Sequence, residues 1–209
     1  MSDLNELLAR VRRELKDPEG AIWTDEELTQ HIRRALGAYT RVDPLRTVGE
    51  LSTSANVREY SLADLAGLME VLDVWYPYDP DSPTYPPPRP HWSIPRDGWL
   101  FLEVDEPPAE GQRVRVFYTR PQSIAGLDGA SETTLDALGE GLVVLGATAY
   151  AVQQRAQEAI GSVTVSGWTP KQLADWAQQR LRAFQAGLQQ VRRRAIMGQD
   201  ARVHWEEPL

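Results

Sequence analysis

Two amphipathic helices are predicted at the start of the chain, where apolar residues recur at every third or fourth position. The first covers residues 3–16, and its apolar stripe consists of Leu4, Leu7, Leu8, Val11 and Leu15. The second begins at Thr24, because Thr24 and Glu27 have the spacing of a capping box. The apolar stripe of this second helix consists of Leu28, Ile32, Leu36 and Tyr39, and Pro44 lies beyond the end of the helix.

From residue 47 onward the apolar period falls to two, which predicts short β-strands. We expect them at 51–54, 59–62, 69–76, 99–104 and 113–119. The last two are predicted to form a hairpin through the loop between them, which contains two prolines. The stretch 76–95 contains eight prolines, too many for a helix or a central strand, so it is predicted to be an exposed, extended loop.

The chain returns to helical spacing near residue 135. In the helix predicted over 135–158, apolar residues lie all round the axis, which is typical of a buried helix. Its small residues are expected to let neighbouring elements approach closely; they are Gly139, Gly141, Gly146 and Ala147. A last helix of about 40 Å is predicted from Pro170 to Met197, with Gly198 as its end.

These elements predict an α+β fold. Residues 1–45 and 132–198 are expected to form a helical bundle of two N-terminal helices and two long C-terminal helices. A small antiparallel β domain, 46–131, is inserted into it and contains the Pro-rich loop 76–95. Residues 199–209 are predicted to form an extended C-terminal tail. The two halves of the bundle must pack on each other, because neither has enough apolar surface alone.

Composition and charge narrow the possible functions. The chain has 209 residues, of which 30 are acidic and 22 basic, and its net charge is −8. Because affinity for nucleic acid comes from neutralising phosphates, this balance argues against a protein whose main task is to grip DNA or RNA. No apolar run approaches the roughly 20 residues that span a bilayer, and the acidic N-terminus lacks the features of a secretion signal. We therefore expect no membrane contact and a cytoplasmic location in the producing cell.

No catalytic, cofactor or metal site is predicted, and the chain is expected not to be an enzyme. It has no cysteine, so thiolate nucleophiles and zinc–thiolate sites are excluded. None of the three histidines has a His, Asp or Glu at metal-ligand spacing; they are His31, His91 and His204. No nucleophile–base pair is visible in the sequence.

Aromatic residues crowd the stretch around the Pro-rich loop, and they include Trp75, Tyr78, Tyr85 and Trp92. Rings interleaved with prolines can line a sugar-binding face, and they can equally form a protein contact, because Trp and Tyr are enriched in interfaces. We favour a contact with another subunit or a tail-side partner, since no set of polar ligand-fixing residues accompanies the rings.

The C-terminal end carries a second candidate contact. Arg192, Arg193 and Arg194 end the last helix, where positive charge suits the helix dipole, and we assign them to the same subunit or tail-partner contact. Residues 201–206 then alternate polar and apolar side chains. This pattern is typical either of a frayed terminus or of a segment that adds to another protein's sheet edge or groove. Trp205, so near the end, favours the second interpretation.

Three segments carry a resemblance to a known group of proteins. The second helix opens with WTDEEL at 23–28 and continues with HIRRAL at 31–36, and the Ala-rich helix reads GLVVLGATAYA at 141–151. Together with the β insertion and the long C-terminal helices, these segments resemble the head-to-tail connector proteins of tailed bacteriophages, also called adaptor or head-completion proteins.

The resemblance implies a structural protein of the virion neck, assembled in the host cytoplasm. It implies a ring, commonly of twelve copies, that docks under the portal protein and extends the DNA channel toward the tail, with DNA passing through the lumen without specific binding. The β insertion would face a downstream neck or tail protein. The tail would bind the portal through Arg202, Val203, His204, Trp205, Glu206 and Leu209. The alternatives are an aromatic-lined carbohydrate- or receptor-binding module and another tail-completion ring protein.

Overall fold

A computed structural model describes residues 2–82, 84–159 and 170–200 of the chain. The chain divides into a helical unit, Met1–Pro44 with Gln122–Leu209, and a β unit, Leu45–Pro121. The predicted α+β class and the inserted β domain are confirmed.

The division of the chain differs from the expected one at its second boundary. Residues 122–131 were expected in the β insertion, but they belong to the helical unit. The reason is local packing: Ile124 and Leu127 are buried in the helical core, and the carbonyl of Ala125 accepts a hydrogen bond from the Leu4 N–H at 3.0 Å.

Four helices build the helical unit: α1 (Leu4–Leu15), α2 (Asp25–Thr40), α3 (Ala137–Ala159) and α4 (Pro170–Asp200). The capping box predicted for α2 is present, because the Glu27 N–H donates to the Thr24 hydroxyl at 3.1 Å and the Thr24 N–H donates to the Glu27 carboxylate at 2.8 Å. The predicted end of α4 at Gly198 is wrong, since the helix continues to Asp200. A glycine costs an α-helix only about 1 kcal/mol and ends it only where the chain also turns away.

The core of the helical unit forms around α3, which packs against the other three helices. As predicted, the middle of α3 is buried, whereas both ends of the helix are exposed. The fully buried residues include Val143, Ala147, Ala149, Ala151 and Val152. At Gly146, α3 approaches two other helices closely. A Cβ atom there would lie 2.8 Å from the Phe184 ring of α4 and 3.0 Å from the Ala35 Cβ of α2. The expected close approach at Gly141 is wrong, because nothing lies within 4 Å of a Cβ at that position.

Gly146→Ala and Gly141→Ala should change stability in opposite directions. Phe184 is 1% exposed and cannot move aside, so Gly146→Ala should lower the free energy of unfolding by about 1–3 kcal/mol. Gly141→Ala adds a methyl group in open space and should raise it by about 0.5–1 kcal/mol, because alanine favours the helix. Urea unfolding followed by circular dichroism measures both, and equal effects would contradict the packing at Gly146.

The turn between α1 and α2 is organised by the carboxylate of Asp17, which is buried although it ionises. It accepts hydrogen bonds from the N–H groups of Ala21 at 2.8 Å and of Ile22 and Trp23 at 3.1 Å each, and Arg12 lies 3.5 Å away. Burial opposes ionisation, but the three N–H donors and the Arg12 guanidinium outweigh it and lower the pKa of Asp17.

Asp17→Asn should lower the free energy of unfolding by about 2 kcal/mol near pH 7, because hydrogen bonds to a charged acceptor are lost. The wild-type advantage rests on a pKa that is lower in the folded state than the ordinary 3.8. It should therefore stay constant from about pH 5 to pH 8 and shrink as the pH falls below about 4. Urea unfolding at pH 7, 5 and 3 checks this, and an advantage as large at pH 3 as at pH 7 would contradict the assignment.

Six strands build the β unit: β1 (Leu45–Ser52), β2 (Glu59–Ser61), β3 (Glu70–Tyr78), β4 (His91–Arg96), β5 (Trp99–Glu103) and β6 (Arg113–Arg120). They form two antiparallel three-stranded sheets, ordered β1-β6-β3 and β2-β5-β4. Residues of both sheets share one apolar core, in which Val74, Leu100, Leu102, Val114 and Val116 are fully buried.

The predicted β5–β6 hairpin is wrong, because the two strands lie in different sheets. Strand β6 instead pairs with β1 from Leu45↔Arg120 to Ser52↔Arg113 and with β3 on its other side. Alternation of buried and exposed residues marks a strand but does not identify its partner, and the direct succession of the two strands along the chain suggested the wrong one.

The prediction of a single extended loop over 76–95 is also wrong. β3 continues to Tyr78, and β4 begins at His91. Both are edge strands, which tolerate proline because one side of the strand needs no hydrogen-bonded partner. Pro77 and Pro95 lie where the pairing of β3 and β4 shifts register, so each proline falls at an irregularity of the ladder. No helix in the described parts of the chain is long and apolar enough to cross a membrane.

Candidate functional site

An aromatic cluster covers the outer face of the sheet β1-β6-β3. Along β6, Val114, Val116 and Tyr118 point into the core, so Arg115 and Phe117 point to the opposite face. Trp75 of β3 lies opposite Arg115 in the ladder. The Trp75 and Phe117 ring centroids are 4.6 Å apart, which is the distance of a packed aromatic pair.

Arg115 lies among these rings. Its guanidinium carbon is 4.5 Å from the Tyr78 ring centroid, 5.8 Å from that of Trp75 and 5.7 Å from that of Phe117. Its Nη1 group donates to the Tyr78 hydroxyl, whereas its buried Nε atom has no hydrogen-bond partner within the described residues. The cation therefore holds three rings in place by contact with their faces, and it keeps a positive charge under the aromatic surface.

A cavity of about 450 Å³ adjoins the aromatic cluster. Trp75, Tyr78 and Tyr85 line it together with prolines of the segment between β3 and β4. Its charged lining residues are Asp79, Asp81 and Arg113. Tyr85 is 77% exposed, the most exposed of the large apolar side chains in the described chain. An aromatic and proline-rich wall that carries charged groups of both signs suits contact with a protein segment that has apolar and polar side chains.

The structure brings together three of the four predicted aromatic contact residues and separates the fourth. Trp92 lies in β4, opposite Leu102, and packs against the core of the β unit. Arg192, Arg193 and Arg194 are exposed on α4. The predicted portal-binding residues lie outside the described part of the chain; they are Arg202, Val203, His204, Trp205, Glu206 and Leu209.

Sequence reasoning missed Arg115 and Phe117. The available signal was their position in β6, where they alternate with the buried Val114 and Val116. When one face of a strand packs in the core and the other carries an aromatic ring and a cation, the second face can also form a contact surface. His31, by contrast, belongs to the core of the helical unit: it is buried, and burial lowers its pKa. Among the described residues, no group of three or more His, Asp or Glu side chains could hold a metal ion.

Trp75→Ala and Tyr85→Ala should differ in their effect on stability, because the Trp75 ring packs against other side chains and the Tyr85 ring is mostly exposed. Trp75→Ala removes a packed ring and should lower the free energy of unfolding by about 2 kcal/mol. Tyr85→Ala should change it by less than about 0.5 kcal/mol, because the ring is mostly exposed. Urea unfolding of the two variants checks this. A large loss for Tyr85→Ala would show that its ring supports the fold.

Comparison with known proteins identifies the chain as an adaptor protein. The profile of the SU10 adaptor protein family matches residues 2–203. The chain therefore belongs to the SU10 adaptor protein family, and the resemblance to phage head-to-tail adaptors is confirmed. A chain from the neck of an empty gene transfer agent particle, computed with C6 symmetry, is similar to it with 16% identity and a TM-score of 0.29, over 81% of this chain and 87% of that one. No curated protein matches significantly.

Proposed function

We propose that this protein forms a ring between the portal and the tail of a phage particle, and that the ring docks under the portal and extends the DNA channel. The observation that carries the proposal is the family match over residues 2–203, which covers both units of the fold. The protein acts through contacts and not as an enzyme. Its place is the virion neck, and its assembly takes place in the host cytoplasm.

The division into two units supports a role between two partners. A ring needs two different surfaces on each copy, one for each neighbour, and an adaptor needs two more for the structures above and below it. The β unit offers the aromatic cluster with Trp75, Tyr78 and Tyr85 as a contact for a neighbouring copy or for a downstream neck or tail protein. The aromatic rings and the half-buried Arg115 cation give this surface the composition of a protein interface.

The helical unit supports the portal contact. Helix α4 has 31 residues and a length of about 46 Å, and residues 201–209 follow directly from its last turn. We propose that this C-terminal segment binds the portal as an added strand or in a groove, with Trp205 as its apolar anchor. Twelve copies are the expected number, and DNA passes through the lumen without recognition of its sequence.

The portal contact is tested by mixing the purified protein with the portal of its own phage and imaging the product by electron microscopy. The full chain should form a ring on the narrow end of the portal. A chain ending at Asp200 keeps all of α4 and should lose at least about 100-fold in affinity, because an anchoring tryptophan and its surroundings are removed. Circular dichroism of the truncated chain controls for its folding.

Two outcomes would overturn parts of the proposal. Equal binding by the full and truncated chains would reject the C-terminal segment as the portal contact, and no binding by either would reject docking under the portal. Tyr85→Ala should leave portal binding unchanged and weaken the contact with a neighbouring copy or a tail-side protein. Glycan binding that is lost in Tyr85→Ala would instead support the carbohydrate-binding alternative.

A further inference from the structure

Helix α4 concentrates positive charge in a chain whose net charge is negative. Between Asp175 and Asp200 it contains no acidic residue and five arginines. The net charge of −8 does not reveal this local positive charge, because most acidic residues lie elsewhere in the chain. Such a local concentration is the electrostatic footprint of a surface that meets an anionic partner.

Three of these arginines lie on one face of α4 together with three glutamines. At 100° per residue the six side chains fall within an arc of about 100°, and they extend for about 22 Å along the axis. All six are exposed. We call this face the Arg–Gln stripe, and its members are Gln178, Arg182, Gln185, Gln189, Arg192 and Arg193.

The arginines of the stripe have no ion-pair partner among the described residues, unlike several other arginines of the helical unit. Arg10 pairs with Glu140 at 2.8 Å, Arg33 with Asp128 at 2.6 Å, and Arg180 of the same helix with Glu14 at 2.6 Å. Arg182, Arg192 and Arg193 make no ion pair or hydrogen bond with any described residue. Their charges are therefore available to a partner.

A groove of about 730 Å³ between α3 and α4 runs beside the stripe. Gln153 and Gln157 of α3 line it opposite Gln178, Arg182 and Gln185 of α4. Its wall thus adds further amide donors to the guanidinium groups. Acidic side chains are scarce there: among the described residues, Asp175 at one end is the acidic member of the lining.

We propose that the Arg–Gln stripe binds the phosphate backbone of duplex DNA without sequence preference. Guanidinium and amide N–H groups are the side-chain donors that phosphate oxygens accept most often. A protein partner is less suitable, because the stripe exposes arginine and glutamine without the aromatic or methionine side chains that accompany arginine in protein interfaces. The inference rests on the proposed function for the presence of DNA beside the protein. Three cations give a weak contact that salt readily breaks, so DNA can slide past it.

Fluorescence anisotropy with a labelled 24-base-pair duplex tests this on the isolated full-length protein. The wild type should bind with a Kd of about 10–100 µM at low salt, and raising the NaCl concentration threefold should weaken binding about 20-fold, as expected for three neutralised phosphates. The triple variant Arg182→Gln, Arg192→Gln, Arg193→Gln should bind at least about tenfold more weakly and should lose most of the salt dependence. Glutamine keeps the helix propensity.

A matched control variant tests whether weaker DNA binding results from loss of the stripe or only from loss of three positive charges. Arg13, Arg41 and Arg46 are exposed arginines outside α4. Changing these three to glutamine removes the same charge and should alter the Kd by less than about twofold. Equal losses in the two variants, or no wild-type binding at low salt, would overturn the proposal. So would a triple variant that binds DNA normally but no longer self-associates, because the stripe would then contact a second copy. Portal docking is measured without DNA, so its failure is distinguishable from failure of the stripe.

Discussion

The contact of α2, α3 and α4 at Gly146 holds together two parts of the chain that are separated by the whole β unit. Ala35 belongs to the part before the β unit, and Gly146 and Phe184 belong to the part after it. Because a Cβ atom at position 146 would collide with both neighbours, the glycine sets how closely the three helices approach. The fully buried face of α3 depends on that distance, and so does the position of α4.

The proposed contact surfaces follow from this arrangement. With its apolar side fixed on α3 through Phe184 and Ala177, α4 presents the Arg–Gln stripe outward and leads into the C-terminal segment. The β unit keeps a core of its own, so its outer sheet face is free to carry Trp75, Phe117 and Arg115. An adaptor must contact unlike neighbours, and separate cores allow separate surfaces to serve each of them.

The sequence predicted what local signals determine. The capping box at Thr24 and the all-round apolar character of α3 gave the helices, because caps and periodicity act within a few residues. Strand pairing was not predicted, because β1 and β6 are the first and last strands of the β unit along the chain. Any strand with alternating side chains could have been the partner of β6. Strand β4 was not predicted, because the many prolines around it are untypical of a central strand, whereas an edge strand tolerates them. Of the candidate site, the rings of Trp75, Tyr78 and Tyr85 were predicted, whereas Arg115 became visible only through the register of β3 and β6.

We propose that this adaptor forms the ring between portal and tail. Cryo-electron microscopy of the neck of the assembled phage particle tests it most directly, with the chain traced in the density. We expect a closed ring of this chain beneath the portal, with residues 201–209 on the portal and the Arg–Gln stripe of α4 turned toward the DNA. A neck without this chain, or the chain located at the tail tip, would contradict the proposed ring.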